Sequence, residues 1–240
     1  MTDAPCQLLE WDTEFWGVKI ARVAAESMTD KSREEVDAWC RDNEISCVYF
    51  LARTEDSETT FAAERGEFFY TDARITLRKE VRGRREEMPG VHIREARPGD
   101  LEGLQAIARS SHETTRFYHD PHFPDDRCGE LYAQWIRSAY DSGATVLVVD
   151  DGGRAVAYVT CELKTPEQGQ IGLIAVDPPM REKRLATALG TASHNWMYEA
   201  GVNHVMAVTQ ARNVAALQFI ESQGYVIDST HIWFHKWYDR

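Results

Sequence analysis

The stretch "VDPPMREKRLATALG", residues 176–190, reads as the end of a strand, a turn and the start of a helix. Two prolines interrupt the chain, and an apolar stripe begins at Leu185. Arg181, Lys183 and Arg184 lie directly before that stripe. A helix N-terminus carries unpaired N–H groups, so a basic turn there can bind a phosphate. The alternative is a solvated helix start, because cations in this position oppose the helix dipole.

The segments on both sides of this stretch alternate between strand and helix patterns. Together they predict one strand, two helices, three strands, a helix, a strand, a helix and a strand, which is typical of a mixed α/β sheet flanked by helices. We expect the apolar strand at 169–176 to be buried on both faces. The segments are 91–111 (strand, turn, helix), 125–143 (helix), 144–164 (hairpin), 169–176 (strand), 185–196 (helix), 202–209 (strand), 213–224 (helix) and 225–237 (strand).

The first part of the chain shows fewer signals. Residues 48–53 and 73–81 read as strands, and residues 30–43 read as a helix with Asp30 or Ser32 as its N-cap. The segment "VRGRREEMPG" that follows is charged, lacks periodicity and ends in Pro-Gly, which indicates a linker or an exposed turn.

Charge and cysteine content exclude several classes of protein. The 240 residues carry a net charge of −12, so neither nucleic acid nor an anionic membrane is expected as the main partner. The five cysteines form no CxxC pair, which favours reduced thiols over a disulfide framework or a zinc site. The N-terminus lacks a basic-then-apolar leader, and no apolar run is long enough to span a bilayer. We therefore expect a cytoplasmic protein with no membrane partner.

The segment "GLIAVDPPMREKRLATAL", residues 172–189, resembles the acyl-CoA-binding motif of the GCN5-related N-acetyltransferases. That motif is a strand, a turn written Q/R-x-x-G-x-G/A and a helix. Arg181 fills the first position of the turn and Ala186 the last. Arg184 replaces the central glycine, and Glu182 stands where a second glycine is common.

The resemblance implies that acetyl-CoA binds here. The strand would pair with the pantetheine arm and offer an N–H group to the thioester oxygen, and backbone amides of the turn would bind the pyrophosphate. Backbone donors do not need glycine, although close approach of a ligand can, so Arg184 bears on affinity. The implied cofactor residues are Ile174, Ala175, Val176, Arg181, Glu182, Lys183, Arg184, Leu185, Ala186 and Asn213.

A second segment, "VTQARNVAALQFIESQGY" at residues 208–225, is similar to the family's N-x-x-A-x-x-x-Y-x-x-x-G-F pattern. Asn213 fills the position that contacts the CoA arm, and it also fits a helix N-cap. Ile220 occupies the position of the tyrosine that protonates the departing thiolate, and isoleucine has no proton to donate. The positions that match are Asn213, Ala216, Gly224 and, in place of phenylalanine, Tyr225.

The chain also resembles, over nearly its full length, a group within that family that acetylates dTDP-fucosamine. The likeness lies in "LEWDTEFWGVKIARV" near the start, "RFYHDPHFP" at residues 116–124 and "STHIWFHKW" at the end. It implies a partial acetyltransferase-like domain at residues 1–85 and an acetyltransferase domain at residues 86–240. It also implies that acetyl passes from acetyl-CoA to the amine of a nucleotide-linked amino sugar.

The segment "SSHETTRFYHDPHF", residues 110–123, concentrates polar and aromatic side chains. Arg116 can pair with a phosphate or carboxylate of the acceptor, and a polar surface loop is the alternative. We take Arg116, Phe117 and Tyr118 as acceptor-binding residues, and Tyr118 as the substitute acid for thiolate. We predict no metal, because no second ligand cluster accompanies His119, Asp120 and His122, and we take His231 and His235 as structural.

Two classes of function remain open from the sequence. The first is an N-acetyltransferase that uses acetyl-CoA on a small-molecule amine, with an amino sugar preferred and an aminoglycoside as the alternative acceptor. The second is a catalytically silent module that binds acyl-CoA or a sugar, which the residues at 184 and 220 favour. A homodimer is also open.

Overall fold

Strands and helices alternate along the chain in the computed structural model, which describes residues 4–181 and 183–238. The strands are β1 (Cys6–Leu8), β2 (Ile20–Val23), β3 (Cys47–Arg53), β4 (Phe69–Glu80), β5 (His92–Glu95), β6 (Thr145–Asp151), β7 (Arg154–Thr165), β8 (Gln168–Val176), β9 (His204–Gln210) and β10 (Val226–Trp237). The helices are α1 (Glu10–Trp16), α2 (Asp30–Asp42), α3 (Ser57–Arg65), α4 (Leu101–Arg109), α5 (Asp125–Asp141), α6 (Leu185–Glu199) and α7 (Val214–Ser222). Short 3₁₀ helices form at Pro98–Asp100, Arg116–His119 and Pro178–Met180.

All ten strands join one sheet in the order β1-β2-β3-β10-β4-β9-β8-β7-β6-β5. The last strand, β10, pairs with β3 on one side and β4 on the other, so the C-terminus is built into the N-terminal part of the sheet. The pairs β2–β3 and β8–β9 are parallel and the other pairs are antiparallel. The predicted boundary between residues 85 and 86 falls between β4 and β5. The division into two acetyltransferase-like units stays a prediction.

The mixed α/β prediction is confirmed, and so is the order of elements from β5 to β10. The N-cap predicted for α2 is wrong. Thr29 caps this helix: its hydroxyl accepts from the Ser32 N–H, and the Ser32 hydroxyl accepts from the Thr29 N–H. This reciprocal pair is a capping box, in which Ser32 occupies the third helical position and not the cap itself.

Helices cover both faces of the sheet. One face packs on α4 and α5, and Tyr158 of β7 is buried there with Leu131. The opposite face packs on α6, where Val159 of β7 meets Leu189. Within the described residues no helix combines the length and apolarity needed to cross a membrane.

The predicted linker is irregular and lies against α6. Asn195 Oδ1 accepts from the Arg85 N–H, and its amide nitrogen donates to the Arg85 carbonyl, at 2.8 and 3.0 Å. The carbonyl of Gly83 lies 3.0 Å from His194 Nε2. These contacts satisfy backbone groups that would otherwise be unpaired, so this segment is held on the surface of the domain.

A buried Asp120 ties the loop before α5 to the end of β10. Its Oδ2 accepts from His235 Nδ1 at 2.7 Å and from Trp237 Nε1 at 2.9 Å, while its Oδ1 accepts from the His122 N–H at 3.0 Å. Burial raises the pKa of Asp120, but the hydrogen bonds from His235 and Trp237 outweigh it and lower the pKa to about 2. His235 Nε2 is shielded and has no partner, so a second proton there would be buried without an acceptor.

The free energy of unfolding should therefore depend on His235 between pH 4 and 6.5. Burial lowers its pKa from 6.5 to about 4. Between those values the unfolded chain binds a proton that the folded chain does not, so stability falls as pH falls. Between pH 7 and pH 5 we expect the free energy of unfolding, measured with urea, to fall by about 2 kcal/mol more in the wild type than in His235→Gln. The exposed control His92→Gln should keep the wild-type loss, and an unchanged loss in His235→Gln would contradict the assignment.

Candidate active site

Strands β8 and β9 pair only over their first halves. Their parallel ladder runs from Gln168 opposite His204 to Ile171 opposite Ala207 and then stops. Beyond this point β8 stays paired with β7, and β9 stays paired with β4, so the two strands diverge. The divergence opens a cleft in the middle of the sheet, lined by backbone edges without strand partners.

The prediction that β8 is buried on both faces is wrong for this reason. Several of its residues are only partly buried, and Gly172 is exposed. The apolar composition of β8 reflects the walls of a cleft as well as the core. The apolar pattern of a strand does not show whether its neighbouring strand diverges from it, so the sequence could not predict this exposure.

The β7–β8 register directs backbone N–H groups into the cleft. The Asp177 N–H donates to the Val156 carbonyl at 2.9 Å, which makes Val176 and, two residues earlier, Ile174 non-hydrogen-bonded partners of β7. Their N–H groups therefore point away from β7. The register is interrupted at Thr160, whose hydroxyl accepts from the Leu173 N–H at 2.8 Å.

The cleft encloses a cavity of about 310 Å³ that is lined from both faces of the sheet. On the α6 and α7 side the lining includes Gly190, Ser193, Asn213 and Ile220, and on the α4 and α5 side it includes His112, Thr115, Tyr132 and Trp135. Because the two strands part between these sets, two molecules can approach the same point from opposite faces.

The basic turn lies at the end of β8 as predicted, directly before α6. Arg181, Lys183 and Arg184 are exposed, while Leu185 is buried against the sheet. Arg184 is the N-cap of α6 and adopts φ 57° and ψ 22°, in the left-handed region that favours glycine. It forms no side-chain cap. The predicted role of Glu182 concerns a residue outside the described ranges.

The other predicted cofactor residues line or adjoin the same cleft. Ile174 lines the cavity, Ala175 is buried towards α4 and α5, and Val176 packs on the α6 side. Ala186 lies in the first turn of α6. Asn213 lines the cavity while its Oδ1 accepts from the Ala216 N–H at 3.1 Å, so it also caps α7.

Ile220 lies in the wall of the cavity on α7. It is buried together with Ile75, Leu77 and Ala207. The position predicted to lack a proton donor therefore faces the cleft.

The loop residues predicted to bind the acceptor lie near the cavity but outside its lining. Phe117 is buried in the aromatic core. The Tyr118 hydroxyl faces Gly129 of α5, where a Cβ would lie 3.6 Å from it. The Arg116 guanidinium packs over the ring of Trp233 at 4.2 Å. The role of Tyr118 as an acid stays a prediction, and its position gives it no support.

Sequence reasoning did not single out the residues that line the cavity on its α4 and α5 side. His112 stacks on Tyr132 with ring centroids 4.5 Å apart, and its Nε2 lies 3.2 Å from the Tyr158 hydroxyl. Burial lowers the pKa of His112 to about 4, so the imidazole is neutral near pH 7. These residues meet because α4 and α5 pack on β7, and no local sequence pattern reports that contact. Across residues 4–181 and 183–238, no group of three or more metal-ligating side chains is close enough to hold a metal ion.

Comparison with known proteins agrees with this geometry. The model of the acetyltransferase (GNAT) family matches residues 104–225, which run from within α4 through α5 and the strands of the cleft to the end of α7. The chain belongs to the GNAT family. Acetyl-CoA is the acyl donor of GNAT acetyltransferases.

Two curated relatives act in sugar metabolism by their names. The chain is 28% identical to the spore coat polysaccharide biosynthesis protein SpsD of Bacillus subtilis, over 58% of this chain and 48% of that protein. It is 29% identical to the dTDP-fucosamine acetyltransferase of Escherichia coli, over 59% of this chain and 61% of that protein. The match thus spans about half to three fifths of the length of these relatives.

Solved structures extend the likeness of fold to nearly the whole chain. A GCN5-related N-acetyltransferase from Sphaerobacter thermophilus superposes with a TM-score of 0.69 at 15% identity, covering 97% of this chain and 76% of that one. A tandem GNAT protein from the clavulanic acid biosynthesis pathway superposes with a TM-score of 0.63 at 13% identity, covering 92% of this chain and 76% of that one.

The strained backbone at Arg184 gives a test of the turn. We expect Arg184→Gly to have a free energy of unfolding about 1 kcal/mol above that of Arg184→Ala, because only the alanine keeps a Cβ at positive φ. Both variants lose the same charge, so the comparison isolates the backbone. The glycine variant should also bind acetyl-CoA more tightly in calorimetry, and equal values for the two variants would contradict this account.

Proposed function

We propose that the protein transfers the acetyl group of acetyl-CoA to the amine of a small molecule, and that this molecule is a nucleotide-linked amino sugar. The observation that carries the proposal is the cleft between β8 and β9, which has free N–H groups on its edge and opens to both faces. The names of the relatives support the sugar, and the family supports the donor.

The residues of the cleft fit acetyl-CoA. The N–H groups of Ile174 and Val176 form an unpaired strand edge for the amides of a pantetheine arm. Arg181 and Lys183 are exposed at the N-terminus of α6, where a pyrophosphate binds favourably. Asn213 adds a side-chain amide at the opposite wall.

Acetyl-CoA supplies an activated acyl group. The protein would contribute positioning and polarisation: the Ile174 N–H points into the cleft, where it could donate a hydrogen bond to the thioester oxygen and stabilise the charge that develops there. On the other face, the neutral imidazole of His112 can accept a hydrogen bond from the incoming amine or from a water molecule on it.

The leaving group departs without a tyrosine at position 220. A thiol has a pKa of roughly 8–9, so its thiolate is a tolerable leaving group. A silent acyl-CoA-binding module is the competing function, because Arg184 replaces the central glycine of the family pattern and Ile220 replaces its tyrosine. A partial GNAT-like unit at residues 1–85 also belongs to this proposal, and the tandem GNAT structure that covers most of the chain supports it.

Calorimetry with acetyl-CoA followed by a thiol-release assay tests the proposal. We expect acetyl-CoA to bind, and binding to weaken about tenfold when Arg181 and Lys183 are both changed to Gln, because two cations leave the phosphate site. The control Lys164→Gln, exposed on β7, should bind as the wild type does. We expect thiol release with dTDP-linked 4-amino-4,6-dideoxygalactose and less with aminoglycosides.

The two assays separate the competing functions. No binding at millimolar acetyl-CoA would overturn the enzyme and the silent module together. Binding without thiol release, across nucleotide-linked amino sugars and aminoglycosides, would establish the silent module instead.

Restoring a phenol at position 220 tests how thiolate leaves. We expect Ile220→Tyr to raise kcat by about tenfold or more, because a general acid contributes up to 10²–10⁴-fold. Ile220→Phe is the matched control: it adds the same ring without the hydroxyl and should not raise kcat. If the two variants turn over equally, the missing acid does not limit the reaction.

A further inference from the structure

Two arginines on the α4 and α5 face of the sheet have no anionic partner. Arg74 lies on β4, and Arg116 begins the 3₁₀ helix before α5. Neither side chain forms a hydrogen bond or an ion pair with any residue in the described ranges. The Nε atom of each is shielded from solvent and has no hydrogen-bond partner. Burying a guanidinium in this way is unfavourable unless something else compensates its charge.

The strand register places both arginines beside the cavity. Arg74 lies opposite His231 of β10 on one side and opposite Gln210 of β9 on the other, and Gln210 lines the cavity. Trp233 follows two residues after His231, on the same face, and carries the Arg116 guanidinium on its ring at 4.2 Å. Both cations therefore lie next to residues that line the cavity: Arg74 lies beside Gln210, and Arg116 directly follows Thr115.

Aromatic rings hold Arg116 in place. Its guanidinium carbon also lies 4.3 Å from the ring centroid of Phe117 and 5.1 Å from that of Tyr49. Rings orient a guanidinium plane without neutralising it. Only Nε is both shielded and unpaired, so the terminal nitrogens keep access to a ligand.

Carboxylates near these arginines do not neutralise them. Glu26 pairs with Arg53 at 2.9 Å. Asp72 is nearest to Arg212, at 3.7 Å, and its Oδ2 is buried without a partner. Asp12 acts on Arg116 only from beyond ion-pair distance.

The effect of this imbalance is visible in both arginines. Burial lowers the pKa of Arg116. Burial also lowers the pKa of Arg74, and the charge of Arg116 lowers it further, while the charge of Glu26 opposes both effects only in part. An acidic protein thus keeps two cations close together and poorly hydrated, an arrangement that a bound anion would stabilise.

We propose that Arg74 and Arg116 bind the diphosphate group of the acceptor at the mouth of the cavity. Guanidinium groups bind phosphate oxygens through two parallel hydrogen bonds, and two forks at one mouth suit two linked phosphates. The inference rests on the proposed function, because it assigns the anion to the molecule that brings the amine.

Titration of the CoA-saturated full-length protein with thymidine diphosphate tests the site, since CoA then fills the other phosphate site. We expect the Kd for thymidine diphosphate to rise at least tenfold in Arg74→Gln and in Arg116→Gln. Arg78→Gln is the matched control, because Arg78 is exposed four residues further along β4, and it should stay within twofold of the wild type. Affinity for CoA should be unchanged in all three variants.

Parallel titrations with inorganic phosphate and pyrophosphate show whether the nucleoside adds affinity. The proposal would be overturned if the wild type did not bind thymidine diphosphate. It would also be overturned if the two arginine variants bound it as tightly as the wild type does. If Arg116→Gln does not fold, Arg116→Lys replaces it, because lysine keeps the charge but loses the fork and should bind more weakly. Failure of acetyl transfer is a separate result, measured as absent thiol release, and does not change the dependence of diphosphate binding on the arginines.

Discussion

The end of the β8–β9 ladder is the constraint on which the site depends. Up to Ile171 and Ala207 the two strands hydrogen-bond to each other. Beyond these residues β8 is paired only with β7, and β9 is paired only with β4. The inner edges then carry N–H and C=O groups that need a ligand or water. Because the sheet continues on both sides, the cleft is held open by strands that cannot close it without breaking other ladders. The same divergence explains the partial exposure of β8 and the access from both faces.

The position of β10 fixes the loop before α5, on the α4 and α5 side of that cleft. This strand carries Trp233 under Arg116, and through His235 and Trp237 it binds Asp120 at the end of the same loop. The loop segment from Arg116 to Asp120 is therefore held against the sheet at both of its ends. Strand β10 thus does more than complete the sheet, because its contacts fix the position of the Arg116 guanidinium.

The sequence reveals those parts of the molecule that depend on local periodicity. The elements from β5 to β10 follow from apolar spacing and turn residues, and the basic turn before α6 follows from its setting after a strand. The exposure of β8, the cap at Thr29 and the partnerless Arg74 do not follow, because each depends on where a distant or alternative partner lies. Arg74 shows this most clearly: its strand alternates like any other, and only the pairing of β4 with β9 and β10 places it beside a residue that lines the cavity and opposite His231. The family resemblance predicted the residues on the α6 side of the cleft, where backbone geometry recurs, and the residues that line its α4 and α5 side came from the structure alone.

The departures from the family pattern and the unpaired arginines both bear on whether the protein is an enzyme or a silent binding module. The two sets of residues lie on opposite faces of the sheet. Arg184 and Ile220 stand at positions proposed to hold the donor and to face its thiolate, and both substitutions would also be expected in a protein that had lost catalysis. Two partly buried cations without ion-pair partners, however, lower the stability of the free protein, and a bound anion would compensate their charge. A module that bound acyl-CoA alone would gain nothing from them, since they lie on the face opposite α6. Their presence at the acceptor mouth therefore favours a protein that still brings two molecules together at this cleft.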